Sequence, residues 1–167
     1  MSVTLAVGEG TLTVTAGSTG ATVSNSGTNT VTVTGTVTQI NNLLAGNSSA
    51  TVTYTNNTDT PSASTTLTMT VNDQGNTGSG GSLTANDTAT INITALNDAP
   101  TATITPTTYA VNEQATLTLH GTGLSIADVD AASSTVQATL SVVSGTISAA
   151  AGTTGVTISG SGTNTVT

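Results

Sequence analysis

Thr30-Val31-Thr32-Val33-Thr34 alternates hydroxyl and apolar side chains with a period of two. In an extended chain successive side chains point to opposite faces, so one face of this stretch is valine and the other threonine. Both residues are β-branched and suit a pleated surface. The same alternation runs through residues 11–15, 51–55, 66–70 and 88–94. All are read as half-buried strands, with Val, Leu and Ile on the core face and Thr in water. Gly, Asn and Ser turns separate them at the short spacing of an antiparallel, all-β sandwich or barrel.

Working outward, Ser26-Gly27-Thr28-Asn29-Thr30-Val31-Thr32 recurs as Ser161-Gly162-Thr163-Asn164-Thr165-Val166-Thr167. At the same offset of 135, residues 4–32 align with 139–167 without a gap, and Ala16-Gly17 falls on Ala151-Gly152. A tandem array with that period is implied. The chain is therefore read as three parts. Residues 1–96 are the C-terminal portion of one β-sandwich repeat, 97–100 an interdomain joint (Asn97-Asp98-Ala99-Pro100), and 101–167 the N-terminal portion of the next. Wrapped by the period, one repeat holds about nine strands, which fits an immunoglobulin-like sandwich with insertions.

A few stretches depart from the alternation. Ile40, Leu43 and Leu44 stand at i, i+3 and i+4, which predicts one or two helical turns over 38–45 between two strands. Residues 72–87 are too glycine-rich for a strand and predict a long loop. Beyond the joint, 101–105 and 109–111 read as a first strand split at Pro106, followed by a strand over 115–119. A loop over 120–132 and a long strand over 136–142 complete the pattern.

Composition excludes several functions. A domain of this size ordinarily carries about forty charged residues, whereas this one has eight, all acidic, with no Lys or Arg and a net charge of -8. Phosphate contacts need cations, so nucleic acid is excluded as a partner, and anionic membrane surfaces with it. No Cys means no disulfide, thiolate nucleophile or zinc–sulfur site. One His, two Tyr and scattered carboxylates, with no nucleophile elbow, zinc-protease helix or phosphate loop, argue against an enzyme. No apolar run reaches the length of a membrane span, so insertion is not expected. Met1 leads straight into a strand pattern with no signal peptide, as for a piece of a longer protein or one exported by a signal elsewhere.

Asn97-Asp98-Ala99-Pro100, then Val111-Asn112-Glu113, then Leu124-Ser-Ile-Ala-Asp-Val-Asp-Ala131, together with Val71-Asn-Asp-Gln-Gly-Asn-Thr-Gly-Ser-Gly-Gly81, resemble the cadherin-like tandem repeats of very large bacterial surface adhesins. The likeness covers essentially the whole chain. It implies a rod of sandwich domains on an extracellular, cell-surface protein, often with calcium at the joints, acting as a structural spacer. Animal cadherins are more distantly similar, with a longer joint, Asp-x-Asn-Asp-Asn-x-Pro. Here Ala95 stands at its first Asp and the second Asn is missing, which implies fewer or weaker ions.

A calcium site shared by Asn97, Asp98, Asp128 and Asp130 follows from the sandwich topology this resemblance implies. There the loop after the second strand lies beside the incoming joint. Calcium takes six to eight oxygens, which these residues, backbone carbonyls and water can largely supply. Asp73 and Glu113 are further candidates toward other joints. Asn-Asp and Asp-x-Asp are equally turn formers that bond nearby amides. His120 reads as a turn residue, Asp87 as a strand start, and Glu9 and Asp59 as solvated. A glycan- or ice-binding surface built on Thr rows is the alternative function.

The partners expected are neighbouring identical repeats in the same or other chains. Residues 1–100 lack the opening strands of their repeat, and strands of that type lie beyond a joint that reaches only about 14 Å. A strand-swapped, head-to-tail fibre is one consequence, although 1–32 and 136–167 then compete for one place.

Overall fold

The computed structural model describes residues 1–76 and 79–167. The chain divides into two compact units, Met1–Leu96 and Asn97–Thr167. It is β-rich, with antiparallel sheets and, among the described residues, one α-helix.

In the first unit the alternating stretches form β1 (Ser2–Val7), β2 (Thr11–Thr15), β3 (Thr22–Ser24), β4 (Thr30–Thr34), β5 (Thr51–Thr55), β6 (Ser64–Asn72) and β7 (Thr84–Asn92). Five of them make one sheet in the order β3-β4-β1-β6-β7, and β2 pairs with β5. Central β1 sets the register, with Leu5 opposite Val31 on one side and Met69 on the other. Val3, Leu5 and Val7 are buried on one face, and Val31 and Val33 of β4 lose all exposure beside them. Leu12 and Val14 of β2 enter the same core.

Helix α1 (Val37–Leu44) connects β4 to β5. Its start is a capping box. Thr36 Oγ1 accepts from the Gln39 amide at 3.3 Å, while the Thr36 amide donates to Gln39 Oε1 at 2.8 Å. Ile40 and Leu43 are buried one turn apart, but Leu44 is 37 % exposed, so the apolar face is narrower than its spacing predicts. The connection then turns back through Asn47–Ser49 and approaches Gly17 closely. A Cβ on Gly17, whose φ is +53°, would lie 2.1 Å from the Ser48 carbonyl oxygen, so only glycine fits.

The second unit contains β8 (Thr101–Ile104), β9 (Leu124–Ala127), β10 (Leu140–Ser141) and β11 (Thr165–Val166), paired β8 with β9 and β10 with β11. The sequence repeat is also a repeat of structure. Leu140 opposite Val166 reproduces Leu5 opposite Val31, and the Ile147–Thr163 bridge reproduces Leu12–Thr28. Ser26 Oγ accepts from the Val14 amide and donates to its carbonyl, both at 2.8 Å. Ser161 grips Ala149 in the same way, at 3.0 and 2.9 Å.

Several expected elements are corrected. β9 lies inside the stretch expected as a loop over 120–132, because the four-residue alternation Leu124-Ser125-Ile126-Ala127 is masked by the flanking glycines. Residues 109–111 and 115–119 are not strands, since alternation makes a strand only where a neighbour accepts its backbone bonds. The strand expected over 136–142 contracts to Leu140–Ser141. β7 begins at Thr84, which shortens the 72–87 loop and puts Asp87 in mid-strand rather than at a strand start; Thr77 and Gly78 of that loop lie outside the described residues.

Leu43 and Leu44 give a direct measure of this packing. Leu43→Ala should cost about 2–5 kcal/mol in urea unfolding, and Leu44→Ala a small fraction of that, because Leu43 is fully buried and Leu44 already meets water.

Candidate functional site: the joint and its acidic loop

The β8–β9 ladder fixes where the joint lies within the second unit. Thr101 stands opposite Ala127, so Pro100, just before Thr101, and Asp128, just after Ala127, leave the same end of the hairpin. Thr101 Oγ1 also donates to the Ala127 carbonyl at 3.3 Å. The register thereby aims the joint at the Asp128-Val129-Asp130 loop. The two meet in a hydrogen bond from the Asp98 amide to Asp130 Oδ2.

Asp128 organises the loop from inside. Its Oδ1 accepts from the amides of Asp130 at 2.9 Å and Ala131 at 3.1 Å, a side-chain-closed turn. Asn97 Nδ2 donates to the Asp98 carbonyl at 3.2 Å. Asp128 and Asp130 thus each engage backbone amides through one carboxylate oxygen. Of the four residues expected to share an ion, the structure joins Asp98 to Asp130 by backbone to side chain, and Asp128 to Asp130 by side chain to backbone. Among the described residues, no three of His, Cys, Asp or Glu gather into a group that could hold a metal.

The further candidates lie apart from this loop in sequence and role. Asp73, in the first unit, latches the β6–β7 hairpin. Its amide donates to the Leu83 carbonyl at 3.1 Å, and its Oδ1 accepts from the amides of Gly75 at 2.9 Å and Leu83 at 2.7 Å. The Gly75 amide foremost, then that of Leu83, holds the Asp73 carboxyl below its ordinary 3.8. Glu113 is exposed in the turn closed by the Ala115 amide on the Asn112 carbonyl. His120 is exposed in a turn.

Glu9, read from sequence as solvated, has a structural role. Its Oε1 accepts from Asn56 Nδ2 at 2.6 Å, and the Ser62 amide donates to both carboxylate oxygens at 3.3 and 3.2 Å. The amides of Gly8 and Glu9 both donate to buried Thr65 Oγ1 at 3.1 Å. The segment leading from β1 to β2 is thus tied to the segment leading from β5 into β6. Asn56 first, then Ser62, pulls the Glu9 carboxyl below its ordinary 4.5. The partners lie 47 to 53 residues away, so no local pattern announces them.

Comparison with protein-family models, curated proteins and solved structures returns no match. Among the described residues no helix is long and apolar enough to cross a membrane.

Both depressed carboxyls bind fewer protons in the folded chain than in the unfolded one. Their stabilisation is present above the ordinary values of 4.5 and 3.8 and is lost as pH falls through the lower folded values. Thermal melts from about pH 6 to about pH 3 should show the midpoint fall in that window. Glu9→Gln should flatten the upper part of the curve, and Asp73→Asn the lower.

Proposed function

We propose that this chain is a structural spacer from a tandem array of immunoglobulin- and cadherin-like β-sandwich repeats on a cell-surface adhesin or fibre, with calcium locking its joints. The observation that carries the reading is the Asp98 amide seated on the Asp130 carboxylate. It brings the joint to the acidic loop at the end of a hairpin whose register leaves little freedom. The recurrence of strand register and of the serine grip at a 135-residue offset supports a tandem array. A spacer's work is mechanical, which suits a chain with no Lys, Arg or Cys.

Asp128 and Asp130 stand at one hairpin end beside the Asp98 backbone, with no Lys or Arg in the sequence to offset their charge. A calcium ion would turn that repulsion into attraction, using the carboxylates, the Asn97 side-chain oxygen and water.

Thermal unfolding with millimolar calcium, with magnesium as control, tests the lock. The midpoint should rise with calcium alone, by the equivalent of about 2.7 kcal/mol once the ion exceeds its Kd a hundredfold. Asp128→Ala or Asp130→Ala should abolish the rise. An unchanged midpoint at about 10 mM calcium would remove the ion from the reading and leave a hydrogen-bonded joint.

A second reading, a surface for glycan or ice, is favoured by one feature. Ser24, Thr32, Thr4, Thr70 and Asn86 form a row across all five strands, on the face opposite the core. Such a row offers donors and acceptors at the interstrand spacing of about 4.8 Å. If it binds, glycan-array or ice-recrystallisation signals should appear with the full chain and vanish with Thr70→Lys.

A further inference from the structure

We propose that an open apolar groove on the Met1–Leu96 unit is the seat of a β8–β9 hairpin donated by a second copy of this chain. Copies would then assemble head to tail.

The groove exists because the sheets differ in width. Two strands, β2 and β5, stand against a core shared with a five-stranded sheet. Leu67 and Met69 of β6 stay half-buried, and Val52 of β5 is 39 % exposed. With Leu5, Leu44 and Ala89 they line a groove of about 340 Å³. Among the described residues β5 pairs only with β2, so its other edge is free to accept a strand.

The second unit identifies the occupant. The β8–β9 register places Ala102 opposite Ile126 and Ile104 opposite Leu124, which puts all four on one face. That face stays open, with Ile104 58 % and Ile126 52 % exposed. It lines a cavity of about 620 Å³ together with Val136, Ala138 and Leu140. Leu140 is the counterpart of Leu5, and it pairs with Val166 as Leu5 pairs with Val31. In one unit, then, the hairpin face shares a cavity with the Leu5-type strand. In the other, the Leu5-type groove stands open. Seating the hairpin there would give that groove the same neighbouring surface that the Leu140 strand has.

The segment 139–167 does not compete for this seat. Its equivalent place in the first unit is held by residues 4–32, where β1 already has β4 on one side and β6 on the other. Asp87 lies on edge strand β7 opposite Met69 and reaches the groove. A carboxylate on the inward face of an edge strand discourages indiscriminate pairing there, which leaves the β5 edge as the point of entry. Donor hairpin and acceptor groove are different surfaces of one chain, so the contact is heterologous and need not close into a ring. The added strands would bond along the β5 edge, as in other strand-addition complexes. None of this involves calcium.

The chain has no cysteine, so single thiols can be placed cleanly. Ile126→Cys and Leu67→Cys variants of the whole 167-residue chain are mixed and oxidised. The mixed disulfide should form in severalfold excess over either homodimer. In sedimentation velocity the unmodified chain should show a ladder of species that grows with concentration and persists in EDTA. Ile104→Asn should weaken that association by about tenfold or more, whereas Ser125→Asn, on the other face of the hairpin, should leave it intact. Two results would overturn the proposal. One is a strict monomer at all concentrations with no mixed disulfide. The other is a monomeric Leu67→Cys/Ile126→Cys double variant that closes the bond within one chain.

Discussion

The two-sided pairing of β1 is the constraint on which the first unit depends. Leu5 must meet Val31 and Met69 at once, and a slip of one residue against either neighbour would turn Thr4 and Ala6 into the core and Leu5 into water. The margin for such an error is small, because the core has no Phe or Trp and consists of medium-sized aliphatic side chains. Each contributes roughly 1.5–3 kcal/mol when fully buried. Stability therefore comes from many equal contributions held in one register. Helix α1 closes one part of that core with Ile40 and Leu43, and the Glu9 and Thr65 bonds tie segments far apart in sequence.

The joint follows the same logic on a smaller scale. Four cross-strand pairs in β8–β9 decide that Pro100 and Asp128 leave the hairpin side by side, and the Asp98 and Asp130 contact is then a matter of two more residues on each arm. A carboxylate that accepts a backbone amide constrains the chain direction at the amide, because its hydrogen must point at the oxygen.

Two kinds of repetition could be read from sequence, the 135-residue recurrence and alternation at short range. Period-two runs such as Thr11 to Thr15 and Thr51 to Thr55 specified their strands, and Ile40 with Leu43 marked the helix. Alternation without a partner misled at 115–119, where backbone pairing is decided by distant chain. The four residues of β9 were too short a sample to rise above their glycines. Carboxylates were harder. Asp73 in a glycine-rich loop and Glu9 beside a glycine look alike on paper, yet both are acceptors for backbone amides, and only the folded path shows which ones. The approach of the Asp98 backbone to Asp130 is carried by the β8–β9 hairpin, whose second strand the sequence reading takes for loop, and how each oxygen is used was not legible at all.

The serine grip bears on how this chain folds. Residues 26–32 and 161–167 are identical and so interchangeable as strands, and a folding chain could pair the wrong one with β1 and β2. Ser26 reaches Val14 across only 12 residues, whereas its twin Ser161 lies 135 residues further on. Closing the shorter loop is favoured by about 2 kcal/mol of chain entropy. Ser26 can therefore claim Val14 before Ser161 competes for it, which favours pairing of residues 26–32 with their own near neighbours over the identical distant segment.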